Sequence, residues 1–327
     1  MDLNLRTSEL DFSIILVTYN SEDFIRECLE SIYNTIKNTK FSFEVIVVDN
    51  NSQDATVKML RDFPEVKLIK NKENLGFSRA NNLAFENSKG KILFFLNPDT
   101  KIISSEIFEE VYKIFSTNSG IGAIGVKLVD EKGKAALSGF SFEPWWSAIL
   151  SLLSMQFIDF RIIKDEHLLK KINNLNHPVE VDWVSGGAMF ISREVYSKVS
   201  GFDSNFFLYS EDVDICKRIK DRGLKILFLP YIYVLHYTSH SSKNFERRID
   251  YRYRSLLLYA AKHYKKWRYF LYKISLILNA IEKLLFTIIF GKFIFNTYEF
   301  SVRKVNYKKA LKFLINEKSR ENKKEVL

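Results

Sequence analysis

Three apolar runs early in the chain each end in a short polar cluster, and this shared ending constrains the fold more than any other feature. They read FSIILVTYN from residue 12, FEVIVVDNNS from residue 43 and KILFFLNPDT from residue 91. Apolar runs of this length, bounded by turn residues, suit strands covered on both faces, as in parallel sheets. Pro98 has no amide hydrogen for a ladder and pushes Asn97 towards extended geometry, so the third run must stop there. Helical patterns lie between the strands: SEDFIRECLESIYNTIK opening at Ser21, DATVKMLRDF stopped at Pro64, and FSRANNLAFENSKG with Gly90 at its end. A short strand, VKLIK, precedes the last of these. Strands alternating with single helices predict an α/β fold, a doubly wound, mostly parallel sheet flanked by helices with right-handed crossovers. In such sheets ligands bind at the carboxyl ends of the strands. Each polar ending alone also fits an N-cap or Asx turn. Three on one rim, Thr18-Tyr19-Asn20, Asp49-Asn50-Asn51 and Asn97-Pro98-Asp99, predict a binding crevice.

Further along, VDWVSGGAMFISREVYSKVSGFD predicts a strand, a glycine pair and a short helix ended by Gly201. SEDVDICKRIKDRG predicts a helix with Ser210 as its cap, acids in the first turn and Gly223 past its end. LKILFLP and YIYVLHY read as two more strands, and residues 141–180 as a variable helical insertion. No proline follows Pro230, and Gly291 is the only glycine after Gly223, so long helices are expected. Residues 274–290, ISLILNAIEKLLFTIIF, resemble a membrane span until Asn279, Glu282 and Lys283 are placed in the middle. Each charge there costs roughly 2.5–3.5 kcal/mol. Ser275, Asn279, Glu282, Lys283 and Thr287 recur at helical spacing as a narrow polar stripe, which fits an interfacial helix or one packed on its own domain.

Charge divides the chain in the same place. From residue 241 there are 21 Lys and Arg against 7 Asp and Glu, a net +14, whereas residues 1–240 hold 28 against 32, a net −4. The expected organisation is a catalytic-type body over 1–240 and a basic amphipathic tail over 241–327 that meets an anionic membrane surface. The start, MDLNLRTSELDFS, has no basic-then-apolar signal, and Cys28 and Cys216 fall in helical patterns rather than disulfide or metal spacings. The expected location is cytoplasmic, peripheral at the inner face of the membrane.

Four groups carry candidate chemistry. Asp99, with Asn97 beside it, offers hard oxygen ligands to a divalent cation. Glu211 and Asp212 sit in a first helical turn, where amide dipoles favour ionised carboxylates, and suit either proton acceptance or plain helix-end placement. Asp214, two residues on, suits a structural ion pair. His236 ends a strand, as a structural residue or as a second metal ligand if the fold brings it to Asp99. Gly186 and Gly187 let a backbone approach a ligand, or form a bulge.

SIILVTYNSEDFIRECLESI, EVIVVDNNSQDAT, NKENLGFSRANNLA, ILFFLNPDT, VSGGAMFISREVYSKVSGFDSNFFLYSEDVDICKRIKDRG and VLHYTSHS occur in the order and approximate spacing of family 2 glycosyltransferases. The chain resembles the rhamnosyltransferase-like branch that builds bacterial surface polysaccharides, from about residue 12 to 265 and least over 141–180. The resemblance implies a GT-A fold and a metal-dependent, inverting transfer from a nucleoside-diphosphate sugar to a glycan or polyprenyl-diphosphate-linked acceptor. It implies that Thr18, Tyr19, Asn20 and Asp49 hold the nucleotide base and ribose. Asn74, Gly76, Phe77 and Asn81 would shape the adjoining wall, with Arg79 near the diphosphate. Asn97-Pro98-Asp99 stands where the family usually writes Asp-x-Asp, so Asp99 and His236 would hold Mg²⁺ or Mn²⁺. Gly186 and Gly187 would face the sugar or acceptor, Asp212 would be the general base, and Glu211 would orient the acceptor. Two departures stand out: Asn97 replaces the first aspartate, and Ser239 stands near the place of a glycine after the histidine. A nucleotidyltransferase would carry a Gly-rich basic loop where this chain has TYNSED. A non-catalytic nucleic-acid or membrane module would leave the acid pair unexplained, and no nucleic-acid partner is expected.

Overall fold

Residues Leu10–Thr18 form strand β1, and six of its nine residues are buried. The computed structural model describes residues 10–135, 141–142, 172, 175–237 and 245–317. They divide into a sheet unit, residues 10–135, 175–207 and 211–237, and a helical unit built on 245–317 with 208–210. The insertion expected over 141–180 lies almost wholly outside the described residues, as does Ser239.

After β1 the sheet unit runs through β2 (Phe43–Asp49), β3 (Val66–Lys70), β4 (Gly90–Leu96), β5 (Thr100–Ile102), β6 (Ile121–Val129), β7 (Val179–Val181), β8 (Ala188–Ser192) and β9 (Lys225–His236). The path across the sheet is β3-β2-β1-β4-β8-β6-β9-β5, with β7 also on β9. The first four strands are parallel, as the sequence predicts. Beyond β4 the sheet is mixed: β8 is antiparallel to both β4 and β6, while β9 runs parallel to β6.

Alternation along β1 sends Phe12, Ile14 and Leu16 into one apolar layer and Ile15 into the other. The first layer is closed by α1 (Ile25–Ile36), whose Ile25, Cys28, Leu29, Ile32 and Ile36 recur at helical spacing and are fully buried. The second is closed by Ala80 and Ala84 of α3 (Gly76–Glu86) and by Tyr196. Each large aliphatic side chain so covered contributes about 1.5–3 kcal/mol.

Several expected boundaries move. Helix α1 begins at Ile25, because Ser21 sits in a preceding turn: its carbonyl accepts from the Ile25 amide at 3.0 Å and its amide donates to Thr56 Oγ1 at 2.7 Å. The second helix is one turn, α2 (Thr56–Met59), continued by a 3₁₀ turn. Gly90 opens β4 instead of closing α3. The two strands expected on either side of Pro230 are one strand, β9, whose register against β6 jumps from Leu229 to Tyr233. Such an interruption accommodates a proline that cannot donate to the ladder. Strands β5 and β6 and helix α4 (Ile107–Thr117) carry no sequence expectation at all. In β6, two glycines and a lysine break up a run that is buried at every residue.

The helical unit comprises α7 (Phe245–His263), α8 (Lys266–Ile294) and α9 (Thr297–Asn316), which follow α5 (Arg193–Lys198) and α6 (Glu211–Lys220) of the sheet unit. Asn296 caps α9 by accepting from the Glu299 amide at 2.8 Å. Tyr253, Leu257, Ala260, Tyr272, Leu276, Ala280, Ala310 and Leu314 make the core of this unit. The polar stripe of α8 lies differently from expectation. Ser275 and Thr287 are each only 2% exposed, and Asn279 accepts from the Tyr253 hydroxyl at 2.7 Å. Ser275 donates to the Tyr272 carbonyl and Thr287 to that of Lys283, so both buried hydroxyls are satisfied within the helix, while Glu282 and Lys283 stay half-buried. Among the described residues one helix segment, Lys266–Lys292, is long and apolar enough to cross a membrane.

Candidate active site

Strand register collects the candidate residues at one edge. Thr18 pairs with Asp49 at the ends of β1 and β2, and Ile15 with Phe95. Three residues further on, that register brings Thr18 level with Pro98. Because β8 is antiparallel to β4, pairing Leu96 with Ala188, the glycine pair before β8 meets the tip of β4. His236, ending β9, pairs with Thr100 of β5, the short strand that turns back immediately after Asp99.

At the β1–β2 end, Asp49 is 2% exposed and holds a local network. It accepts from Thr18 Oγ1 at 3.0 Å, Ser52 Oγ at 2.6 Å and the Ser52 amide at 3.0 Å. Asn20 is left-handed, with φ 53°, and its side chain accepts from the Gln53 amide at 2.8 Å. Tyr19 is half-buried beside it. Asn50, which the sequence reading leaves without a role, ties this end to α3: its Nδ2 donates to the Gly76 carbonyl at 3.1 Å. Ser52 and Asn50 could be found only as neighbours of Asp49 in a polar run.

The start of α3 is built by Asn74, whose Oδ1 accepts from the Gly76 amide at 2.9 Å. Gly76 has φ 79°, and a Cβ there would lie 2.5 Å from the Phe207 carbonyl oxygen, so no other residue fits. The Phe77 amide donates to that same carbonyl at 2.8 Å. Asn81 is 1% exposed and donates its side-chain amide to the Phe77 carbonyl, bracing the first turns of α3 from inside. Arg79 is exposed, and its Nε donates to the Ser204 carbonyl at 3.2 Å.

From β4 the site is continuous. The Asn97 amide donates to the Gly187 carbonyl at 3.0 Å, extending the β4–β8 ladder past its last pair. The Gly186 amide donates to Asp212 Oδ2 at 3.0 Å. A Cβ on Gly186 would reach 3.5 Å from both Phe77 Cζ and Asp212 Cβ, so the glycine keeps open the space between them. Beneath the strand tip, the Cys28 thiol reaches the Asn97 carbonyl at 3.6 Å, and burial pushes it up to about 12. That leaves it a packing residue rather than a nucleophile.

Asp99 Oδ1 and His236 Nε2 lie 3.3 Å apart, their side chains 26% and 22% exposed. This oxygen and nitrogen suit a divalent cation such as Mg²⁺ or Mn²⁺. Among the described residues no group of three His, Cys, Asp or Glu is gathered for a metal.

The acid pair opens α6 after two consecutive left-handed residues, Tyr209 at φ 73° and Ser210 at φ 63°. Ser210 is thus not in the extended conformation of the cap expected there. Left-handed backbone costs a non-glycine residue roughly 1–2 kcal/mol. Glu211 is 6% exposed, and its Oε2 is buried without a hydrogen-bond partner among the described residues. Burial and the neighbouring Asp212 push the Glu211 carboxyl well above the carboxylate range. Burial also raises Asp212, but the amides of Gly186 and Val213 oppose the rise. Burial thus works against the dipole argument at both carboxyls, and more strongly at Glu211. Asp214, fully buried, makes the expected ion pair with Arg218 at 2.8 Å.

Comparisons with known proteins bear on this edge. The family described as Glycosyl transferase family 2 matches residues 13–199, more than half of the chain. A second family, described as the N-terminal domain of galactosyltransferase, matches residues 166–243. The chain is 23% identical to rhamnosyltransferase WbbL of Escherichia coli (strain K12) over 239 residues, which is 71% of this chain and 85% of WbbL. It is 24% identical over 241 residues to the N-acetylglucosaminyl-diphospho-decaprenol L-rhamnosyltransferase of Mycobacterium tuberculosis (strain ATCC 25618 / H37Rv), covering 70% of this chain and 76% of that one. The fold is similar to the mannosyltransferase PcManGT from Pyrobaculum calidifontis, solved with GDP-Man and Mn²⁺. The TM-score is 0.57 at 15% identity, covering 94% of this chain and 88% of that one. Staphylococcus aureus TarS 1-349 with UDP-GlcNAc gives 0.54 at 17%, covering 94% and 82%. This chain, with its GT-A fold and rhamnosyltransferase relatives, belongs to glycosyl transferase family 2 and is a sugar-transferring enzyme.

Proposed function

We propose that the chain moves a sugar from a nucleoside-diphosphate donor to a hydroxyl of a lipid-linked glycan, in one inverting displacement. The observation carrying this reading is the unbroken run of contacts from His236 and Asp99, through Asn97 and Gly187, to Gly186 and Asp212. It supports giving Asp99 with His236 and Asp212 the two ends of a glycosyl transfer. Thr18, Tyr19, Asn20 and Asp49 take the nucleoside, and the Asn74–Phe77 turn borders it.

Asp212 accepts the proton of the acceptor hydroxyl as that oxygen attacks the anomeric carbon. The bond from that carbon to the diphosphate oxygen breaks, and the nucleoside diphosphate leaves as an anion. The Gly186 and Val213 amides donate to the two oxygens of Asp212 and aim its carboxylate. Asp99 and His236 would hold a divalent cation, which when bound neutralises charge on the diphosphate. The relatives named as rhamnosyltransferases favour rhamnose as the sugar, and the one named for a decaprenol-linked substrate favours a polyprenyl-linked acceptor. Such an acceptor places the enzyme at the cytoplasmic face of a membrane.

Replacing Asp212 tests the reading. Asp212→Asn should lower transfer by about 10²–10⁴, with donor affinity retained by isothermal titration. Near-normal turnover would remove Asp212 as the base.

A further inference from the structure

Helix α8 is inverted relative to a helix of a water-soluble bundle. From Phe270 to Phe290 the exposed residues are Phe270, Leu271, Ile274, Leu278, Ile281, Leu285, Ile288, Ile289 and Phe290, every one apolar. Their spacing of three and four makes one stripe along the helix. Ser275 and Thr287 meanwhile face the core. Water on the outer face would reward the opposite arrangement. An apolar stripe of this length on a monomer marks a surface that something covers.

We propose that α8 lies in the plane of an anionic lipid bilayer, with this stripe sunk into the boundary between headgroups and acyl chains. Charge selects the occupant. Exposed Lys265 and Lys266 stand at one end of α8 and Lys292 at the other, within a region carrying a net +14 from residue 241. A second copy of the chain would press these cations together, whereas an anionic headgroup layer neutralises them. Trp267, 52% exposed, and Tyr298, 61% exposed, flank the stripe, as aromatic residues do at that depth.

The in-plane orientation follows from the neighbouring helix. Ala310 of α9 shares a core with Ala280, the midpoint of α8, and Lys308, Lys309 and Lys312 around it are exposed. If α8 crossed the membrane, these three lysines would enter hydrocarbon with it. With α8 lying flat, they stay in the polar layer.

The test needs no donor or acceptor, so its outcome is separate from that of the transfer reading. The full chain is mixed with vesicles of phosphatidylcholine with phosphatidylglycerol, and separately with phosphatidylcholine alone. Binding should be strong only to the first. The double variant Ile281→Asn/Leu285→Asn should bind at least about tenfold more weakly while melting at an unchanged temperature in the absence of vesicles, since both side chains are exposed. Equal binding by the variant would overturn the proposal, as would a wild-type dimer in solution that the variant dissociates. For depth, spin labels go on cysteines placed singly at 274, 281 and 288; the native Cys28 and Cys216 are buried. Equal depths are expected for a flat helix. A gradient of about 21 Å over these 14 residues, at 1.5 Å each, means spanning and sinks the in-plane assignment.

Discussion

The sheet unit and the helical unit use the same side chains in opposite ways. In the sheet unit, apolar residues fill two layers, and polar groups gather at one strand edge, where Asp49, Asp99, Asp212 and His236 stand. In α8 of the helical unit, Ser275 and Thr287 go inward beside Leu276, while Ile274, Leu278, Ile281, Leu285, Ile288 and Ile289 stay outside. An interior alone does not dictate which residues it receives; the medium on the other side does. The sheet unit is arranged against water. In the arrangement proposed for α8, the helical unit faces something less polar than water, with its cations towards an anionic surface.

Core and stripe residues should break that comparison most visibly. Phe94 is fully buried and stacked on Phe190 with centroids 3.8 Å apart. Phe94→Ala should cost about 3–5 kcal/mol in urea unfolding, whereas Leu285→Asn, on the exposed stripe, should stay within about 0.5 kcal/mol. A similar loss at both positions would mean that the stripe is covered in solution and the contrast is false.

The acid edge gives the next effect. Because the folded Glu211 carboxyl is raised above its unfolded value, its contribution to stability is complete at acid pH and is lost as pH rises from the ordinary 4.5 through the folded value. The slope approaches about 1.4 kcal/mol per pH unit in that window. Glu211→Gln should flatten this dependence in thermal melts and stabilise the protein at neutral pH. An unchanged profile would show that the carboxyl is hydrated.

Asp99→Ala should weaken donor binding at least tenfold, about 1.4 kcal/mol, and make the remaining affinity insensitive to EDTA. Unaltered donor binding by titration would leave Asp99 outside the cation site. The smallest effect is Ser210→Gly, which relieves one left-handed residue and should add about 1 kcal/mol of stability. If the melting temperature falls instead, the serine side chain is doing something that its backbone does not reveal.

Much of the sheet unit was legible because its signals are local. Apolar runs ending in polar clusters gave β1, β2 and β4, and Gly76 could be singled out in a motif whose left-handed turn then required it. The strands that escaped notice were diluted: β6 carries Gly122, Gly125 and Lys127, yet is buried throughout. Asn81 fell within a recognisable motif, but a motif does not say that its helix turns this side chain inward and Arg79 outward. The state of the acid pair was equally hidden, since burial outweighs the helix dipole only when the surroundings of Glu211 are known.

By itself, the sequence determined the alternation of strands and helices, the polar tips at one sheet edge, the family and the basic character of the last helices. These follow from periodicity, composition and short motifs, which tertiary contacts do not alter. Only the folded chain decided that His236 meets Asp99, because β5 reverses direction just after Asp99 and pairs with the end of β9. Only the folded chain decided which side of α8 is outside. A stripe has two faces in sequence, and packing against α7 and α9 chose the one that kept hydrogen bonds satisfied and left the hydrocarbon exposed.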